Sequence, residues 1–147
     1  MFLLNKMKEI HSCLEILVKV DSDVLDTGLL SIFRTIDYAA HGDMLEFVIE
    51  KLDTIIAELD ESSFSEPKFK TVSDDAIAYA LALENYAAAL LKLTKGLGEN
   101  AEGNFSAYPK AQYKEDLNSM IQLQDNYSIL GSKLNVSYNL VKRSSLK

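Results

Sequence analysis

Apolar residues recur at steps of four and three along most of this chain, a spacing that favours helices over strands. Leu3, Met7, Ile10, Leu14 and Leu17 form one such stripe over about 2–19, the apolar face of an amphipathic helix. Tyr113, Leu117, Met120, Gln124, Tyr127, Gly131, Leu134, Tyr138 and Val141 form the longest, over about 109–142. No stretch alternates apolar and polar residues long enough to make a strand.

Glycines, prolines and capping residues divide the rest. Asp21-Ser22-Asp23 offers caps for a second helix, from 23 or 27 to His41, with Gly42 as its left-handed stop. Asp43 then caps a third helix, with Glu46 completing a capping-box variant. This helix runs to about Glu61 on the stripe Leu45, Val48/Ile49, Leu52, Ile55/Ile56 and Leu59. The short turn at Gly42-Asp43 predicts an antiparallel hairpin of helices two and three. Residues 61–72 read as a polar loop in which Pro67 forbids continuation. A fourth helix follows from Ser73 or Asp74 to Lys95, stopped by Gly96, and then a loop over 97–107. Pro109 suits the first turn of the last helix. The fourth helix is apolar nearly all round, as a buried helix is. The fold expected is all-α, one domain over 1–147. It is an antiparallel bundle of four to five helices, with a central apolar helix at about 74–95 and a long C-terminal helix at about 109–142. A break near Gly131 is left open.

The 147 residues are 48% hydrophobic and 25% charged, an ordinary globular composition that excludes disordered and fibrous classes. No uninterrupted apolar run approaches the ~18–20 residues of a membrane span, so no membrane partner is expected. The apolar stretch Phe2-Leu3-Leu4 is too short for a secretory signal. A single cysteine, Cys13, excludes an internal disulfide and a multi-cysteine zinc site. These features point to the cytoplasm.

Charge is concentrated. Residues 43–66 hold eight acids and one base, Lys51, which equals the whole formal charge of −7. Glu46, Glu50, Asp53 and Asp60 fall opposite the apolar stripe of the third helix. Glu46 and Glu50 repel at i,i+4, while Glu58, Asp60 and Glu61 oppose the dipole at the C-terminal end. A face arranged against local stability predicts a basic surface to meet it. The expected function is therefore non-enzymatic: a bundle that binds another protein, in an inhibitor, immunity-type or escort role, through Glu46, Glu50, Asp53, Asp60 and Glu61. The alternative use is a solvated face that keeps the protein soluble, or one neutralised by the acid-free segment 133–147 with Lys133, Lys142, Arg143 and Lys147. The net negative charge and scattered bases speak against duplex nucleic acid as a partner.

Arg34, Tyr38 and His41 lie at helical spacing away from the apolar stripe. This Arg34-x6-His41 pattern resembles the HEPN ribonucleases, helical bundles with an arginine and a histidine a few residues apart at a dimer cleft. The resemblance covers two residues. It implies a metal-independent ribonuclease in which Arg34 holds the scissile phosphate and His41 exchanges a proton with the RNA 2′-hydroxyl. The plain alternative is a surface arginine and a histidine at a helix C-terminus.

Glu84 is the one charged residue between Ala76 and Leu91; partial burial would raise its pKa unless something donates to it, and the expected setting is a bond to a bundle tyrosine or lysine, the alternatives being an opening towards solvent or a ligand site. A carboxylate-bridged metal pair would show Glu-x-x-His, but Lys8 and Tyr38 stand three residues before His11 and His41. No metal or cofactor is expected. The tyrosines of the last helix suit a semi-wet seam, and its repeat leaves room for a homo-oligomer through the 109–142 helix.

Overall fold

A computed structural model describes residues 2–25 and 36–145. Four long helices pack against one another: α1 (Phe2–Leu25), α2 (Tyr38–Glu61), α3 (Pro67–Ala101) and α4 (Lys110–Ser145), with one 3-10 turn at Phe105–Ala107. No strand occurs among the described residues.

The helices start and stop elsewhere than the punctuation predicts. The first runs on past residue 19 because Val20 and Val24 continue its buried stripe. There is no stop at Gly42 and no hairpin at Gly42-Asp43: α2 begins at Tyr38, and its cap is Asp37, whose side chain accepts from the Ala40 amide at 3.0 Å. Gly42 is buried inside the helix, where an added Cβ would meet Leu91 at 3.7 Å. Most of the second helix predicted over 27–41, including Arg34, lies outside the described residues. Pro67 opens α3 at a first-turn position, where its missing N–H costs nothing. Val72 then joins the core, so the loop shrinks from 61–72 to 62–66.

Gly96 does not end the fourth helix either. The ring of Tyr108 lies where a Cβ on Gly96 would sit, 2.5 Å from Cγ, so this glycine allows close packing and α3 continues to Ala101. The chain turns at Gly103, which has φ +89, a conformation that suits glycine. The last helix passes Gly131 in one piece, about 54 Å long. Tyr79 of α3 crosses it there, and a Cβ on Gly131 would fall 2.9 Å from its ring.

Pairings across the seams fix the directions. Glu58, Lys51 and His41 of α2 face Lys6, Glu9 and Asp23 of α1 in reverse order. Lys92, Tyr86 and Asp75 of α3 likewise meet Asp116, Tyr127 and Lys133 of α4. Sequential neighbours are thus antiparallel. The helix α3 packs against α1, α2 and α4, whereas no Cα of α4 comes within 8 Å of α1 or α2 among the described residues. An open groove of about 440 Å³ separates α1 from α4, with Met7 and Leu14 on one wall, Ser128 and Asn135 on the other, and Tyr79 among its lining residues.

The core lies between α1, α2 and α3. Leu45, Val48, Leu52, Ile55 and Leu59 of α2, with Leu83, Leu90 and Leu93 of α3, are 0–1% exposed. By length and composition alone α3 could cross a membrane; its contacts with all three other helices account for that apolarity. It is not buried all round, however. Leu81 is 46% exposed and Ala88 is exposed too, on a side that no described helix covers.

The seam between α3 and α4 is wetter. Buried Asp116 accepts from the Tyr108 hydroxyl at 2.6 Å, Gln112 at 2.9 Å and Lys92 at 3.4 Å. Burial pushes this carboxyl up, but the three donors outweigh it and leave its pKa below the ordinary value. The Tyr86 hydroxyl donates to Asp21 of α1 at 2.7 Å, and its ring stands edge-on to Tyr127.

Candidate protein-binding surface

Burying 45, 48, 52, 55 and 59 turns the remaining side of α2 outward, so the helix period that builds the core also presents the acids. Glu46, Glu50, Asp53, Asp60 and Glu61 are all exposed, as is Asp43. The helix has no basic residue in its last turn, so Asp60 and Glu61 stand uncompensated at its negative end.

Ion pairs edge this face without neutralising it. On the α1 side, Lys6 pairs with Glu58, and Lys51 lies 3.9 Å from Glu9. On the α3 side, Lys95 reaches Glu46 at 3.3 Å. Glu50, Asp53, Asp60 and Glu61 make no ion pair among the described residues. The described bases of the acid-free segment do not answer them: Lys133 pairs with Asp75 of α3 at 3.6 Å, exposed Lys142 and Arg143 make no ion pair among the described residues, and Lys147 lies outside these.

Two further features border these acids. Phe47 is 58% exposed beside Glu46 and Glu50, with Met44 next to it. Its position off the buried stripe was the available sequence signal. Glu84 of α3 borders the same face, and its partner is neither tyrosine nor lysine but Asp53. Burial, together with the hydrogen bond and negative charge of Asp53, raises the Glu84 carboxyl to about 7. Its Oε2 atom is buried and has no hydrogen-bond partner among the described residues. Burial and the neighbouring charge of Asp53 thus favour the protonated form of the Glu84 carboxyl at the α2–α3 seam.

His41 occupies a different setting from the one expected. It lies in the first turn of α2, not at a helix C-terminus, so the favourable C-terminal dipole contact expected from the sequence is not made. Its side chain is 18% exposed, with Nε2 3.9 Å from Asp23 of α1 and Nδ1 buried without a hydrogen-bond partner among the described residues. Arg34, the phosphate-holding residue of the resemblance, lies outside the described residues. Cys13 is buried, and burial raises its thiol pKa, which lowers its reactivity. No group of three metal-ligating side chains occurs among the described residues.

The outer face of α2 can thus attract and orient a cationic surface and offer it an aromatic anchor. Comparison with protein-family models, curated proteins and solved structures finds no match to this chain.

Proposed function

We propose that this protein acts without catalysis, binding another protein of basic surface through the outer face of α2 in an inhibitor, immunity-type or escort role. The observation that carries the reading is an exposed phenylalanine, Phe47, set among acids of which Glu50, Asp53, Asp60 and Glu61 make no ion pair among the described residues, while Glu46 pairs with Lys95. Such a field speeds and orients encounter, while an aromatic anchor supplies the buried contact that affinity needs. A face serving solubility alone has no need of that aromatic group. Glu46, Glu50, Asp53, Asp60 and Glu61 are the contact residues proposed. The single buried cysteine suits the reducing cytoplasm, the proposed location.

The test is capture from the native cell by the protein and by a Glu50→Lys/Asp53→Lys/Asp60→Lys variant. A basic partner retained by the first and lost by the second, with the helical circular dichroism unchanged, supports the reading. Equal capture by both rejects this face. Ribonuclease activity abolished by His41→Ala would overturn the non-catalytic assignment.

A further inference from the structure

The acidic face of α2 has one edge on α3, and there Asp53 is in hydrogen-bond contact with Glu84. The Glu84 side chain is half-buried, and its Oε2 is enclosed with no hydrogen-bond partner among the described residues. Within a turn of it on α3 stand Ala80, Leu81, Ala87 and Ala88, none of them charged. On α2, Glu50 and Asp60 lie one and two turns from Asp53 and add only negative charge. The nearest bases are committed elsewhere: Lys95, about 16 Å along α3, pairs with Glu46, Lys92 with Asp116, and Lys51 faces Glu9. The helices α1 and α4 lie on the far side of α3. Tyr86, turned about 200° from Glu84, meets Asp21 of α1 and Tyr127 of α4, and Asp75, about 180° away, pairs with Lys133. The 3-10 turn at Phe105–Ala107 carries no charge. Among the described groups, Asp53 alone acts on Glu84 by charge.

A carboxyl so placed has to be compensated by a proton or by a cation. Ionised, it leaves an enclosed oxygen unsatisfied beside a second negative charge. The proton is therefore held up to about pH 7, well above the ordinary glutamate range. A lysine or arginine that docks on Asp53 supplies the missing positive charge, and a positive charge nearby favours the ionised form.

We propose that the Asp53–Glu84 pair links docking to pH: a basic partner displaces a proton from Glu84, so the acidic face of α2 holds it more tightly as the solution becomes more alkaline. This regulation rests on the binding role proposed above for that face. Its sign follows from reciprocity, since a partner that favours the ionised form must itself be bound better by that form. A cation that makes Glu84 an about ten-fold stronger acid raises affinity about 5-fold between pH 6 and pH 8. It also releases about 0.4 proton per complex at pH 7.

The probe is a histidine-free amphipathic peptide of lysine, arginine and leucine, blocked at both ends, whose charge stays constant from pH 6 to pH 8. Its binding to the full chain and to Glu84→Gln is measured by fluorescence anisotropy at both pH values. Calorimetry at pH 7 in buffers of different ionisation enthalpy counts the protons released. The unaltered protein should bind about 5-fold tighter at pH 8 than at pH 6. Glu84→Gln, which keeps the shape of the protonated side chain, should lose that gain and release about 0.4 proton fewer. His11 and His41 are present in both proteins, so their contribution drops out of the comparison. Equal affinity at the two pH values, or the same gain in Glu84→Gln, overturns the link and leaves the binding face in place. No binding at either pH overturns the binding role itself, and the link with it.

Discussion

The helices α2 and α4 both pack against α3, and they use their two faces in opposite ways. The inner face of α2 is dry: Leu45, Val48, Leu52, Ile55 and Leu59 are all 0–1% exposed. The inner face of α4 is held by tyrosines and by the Asp116 network, with fewer aliphatic side chains buried. Outside, α2 presents acids most of which make no ion pair among the described residues, and α4 presents exposed Ile121, Ile129, Val136 and Leu140. A face that meets a different molecule can carry one sign of charge, because the partner supplies the other.

The largest effect expected is on the dry seam. Leu52→Ala should cost about 2–5 kcal/mol by denaturant unfolding, and Met120→Ala on α4 only about 2 kcal/mol. Equal costs would break the contrast between the two seams. Next comes Tyr108→Phe, which removes the shortest donor to buried Asp116. A loss of about 1–3 kcal/mol is expected, and a neutral result would mean that Gln112 and Lys92 suffice.

The smallest effect sharpens the comparison most, because pH acts on the two seams with opposite sign. Asp116 has a folded pKa below its unfolded value. Its contribution is therefore present above the ordinary carboxylate value of 3.8 and is lost as pH falls through the lower folded value. Glu84 has a folded pKa raised from 4.5 to about 7. Its contribution is fully present below pH 4.5 and is lost as pH rises through about 7. Glu84→Gln should therefore stabilise the protein at pH 8 by about 1 kcal/mol, discounted for a partly exposed group, and change little at pH 4. Unfolding curves at the two pH values check this; a gain of equal size at both would remove Glu84 from the account.

Part of this was legible in the chain. The all-helical class followed from the 4,3 stripes, and the position of the acids from the period of α2. The glycines misled because a residue that ends a helix and one that admits a neighbouring ring look alike in sequence. Gly42, Gly96 and Gly131 lie within helices, while Gly103 alone among the described glycines has positive φ. Pro67 was ambiguous for a similar reason, since proline both breaks a helix and opens one. At the candidate surface, Phe47 was visible as an apolar residue off the stripe. The Asp53–Glu84 pair was not, because it depends on how α2 and α3 align.

The most direct test measures binding of a synthetic amphipathic helical peptide, rich in lysine and arginine with a leucine face, by fluorescence anisotropy. The predicted result is binding that weakens from about 0.1 M to about 1 M salt, as the screening length falls from ~10 to ~3 Å. It should drop at least ~10-fold in the Glu50→Lys/Asp53→Lys/Asp60→Lys variant. No binding by the unaltered protein, or equal binding by the variant, would contradict the assignment of α2 as the face that meets a basic partner.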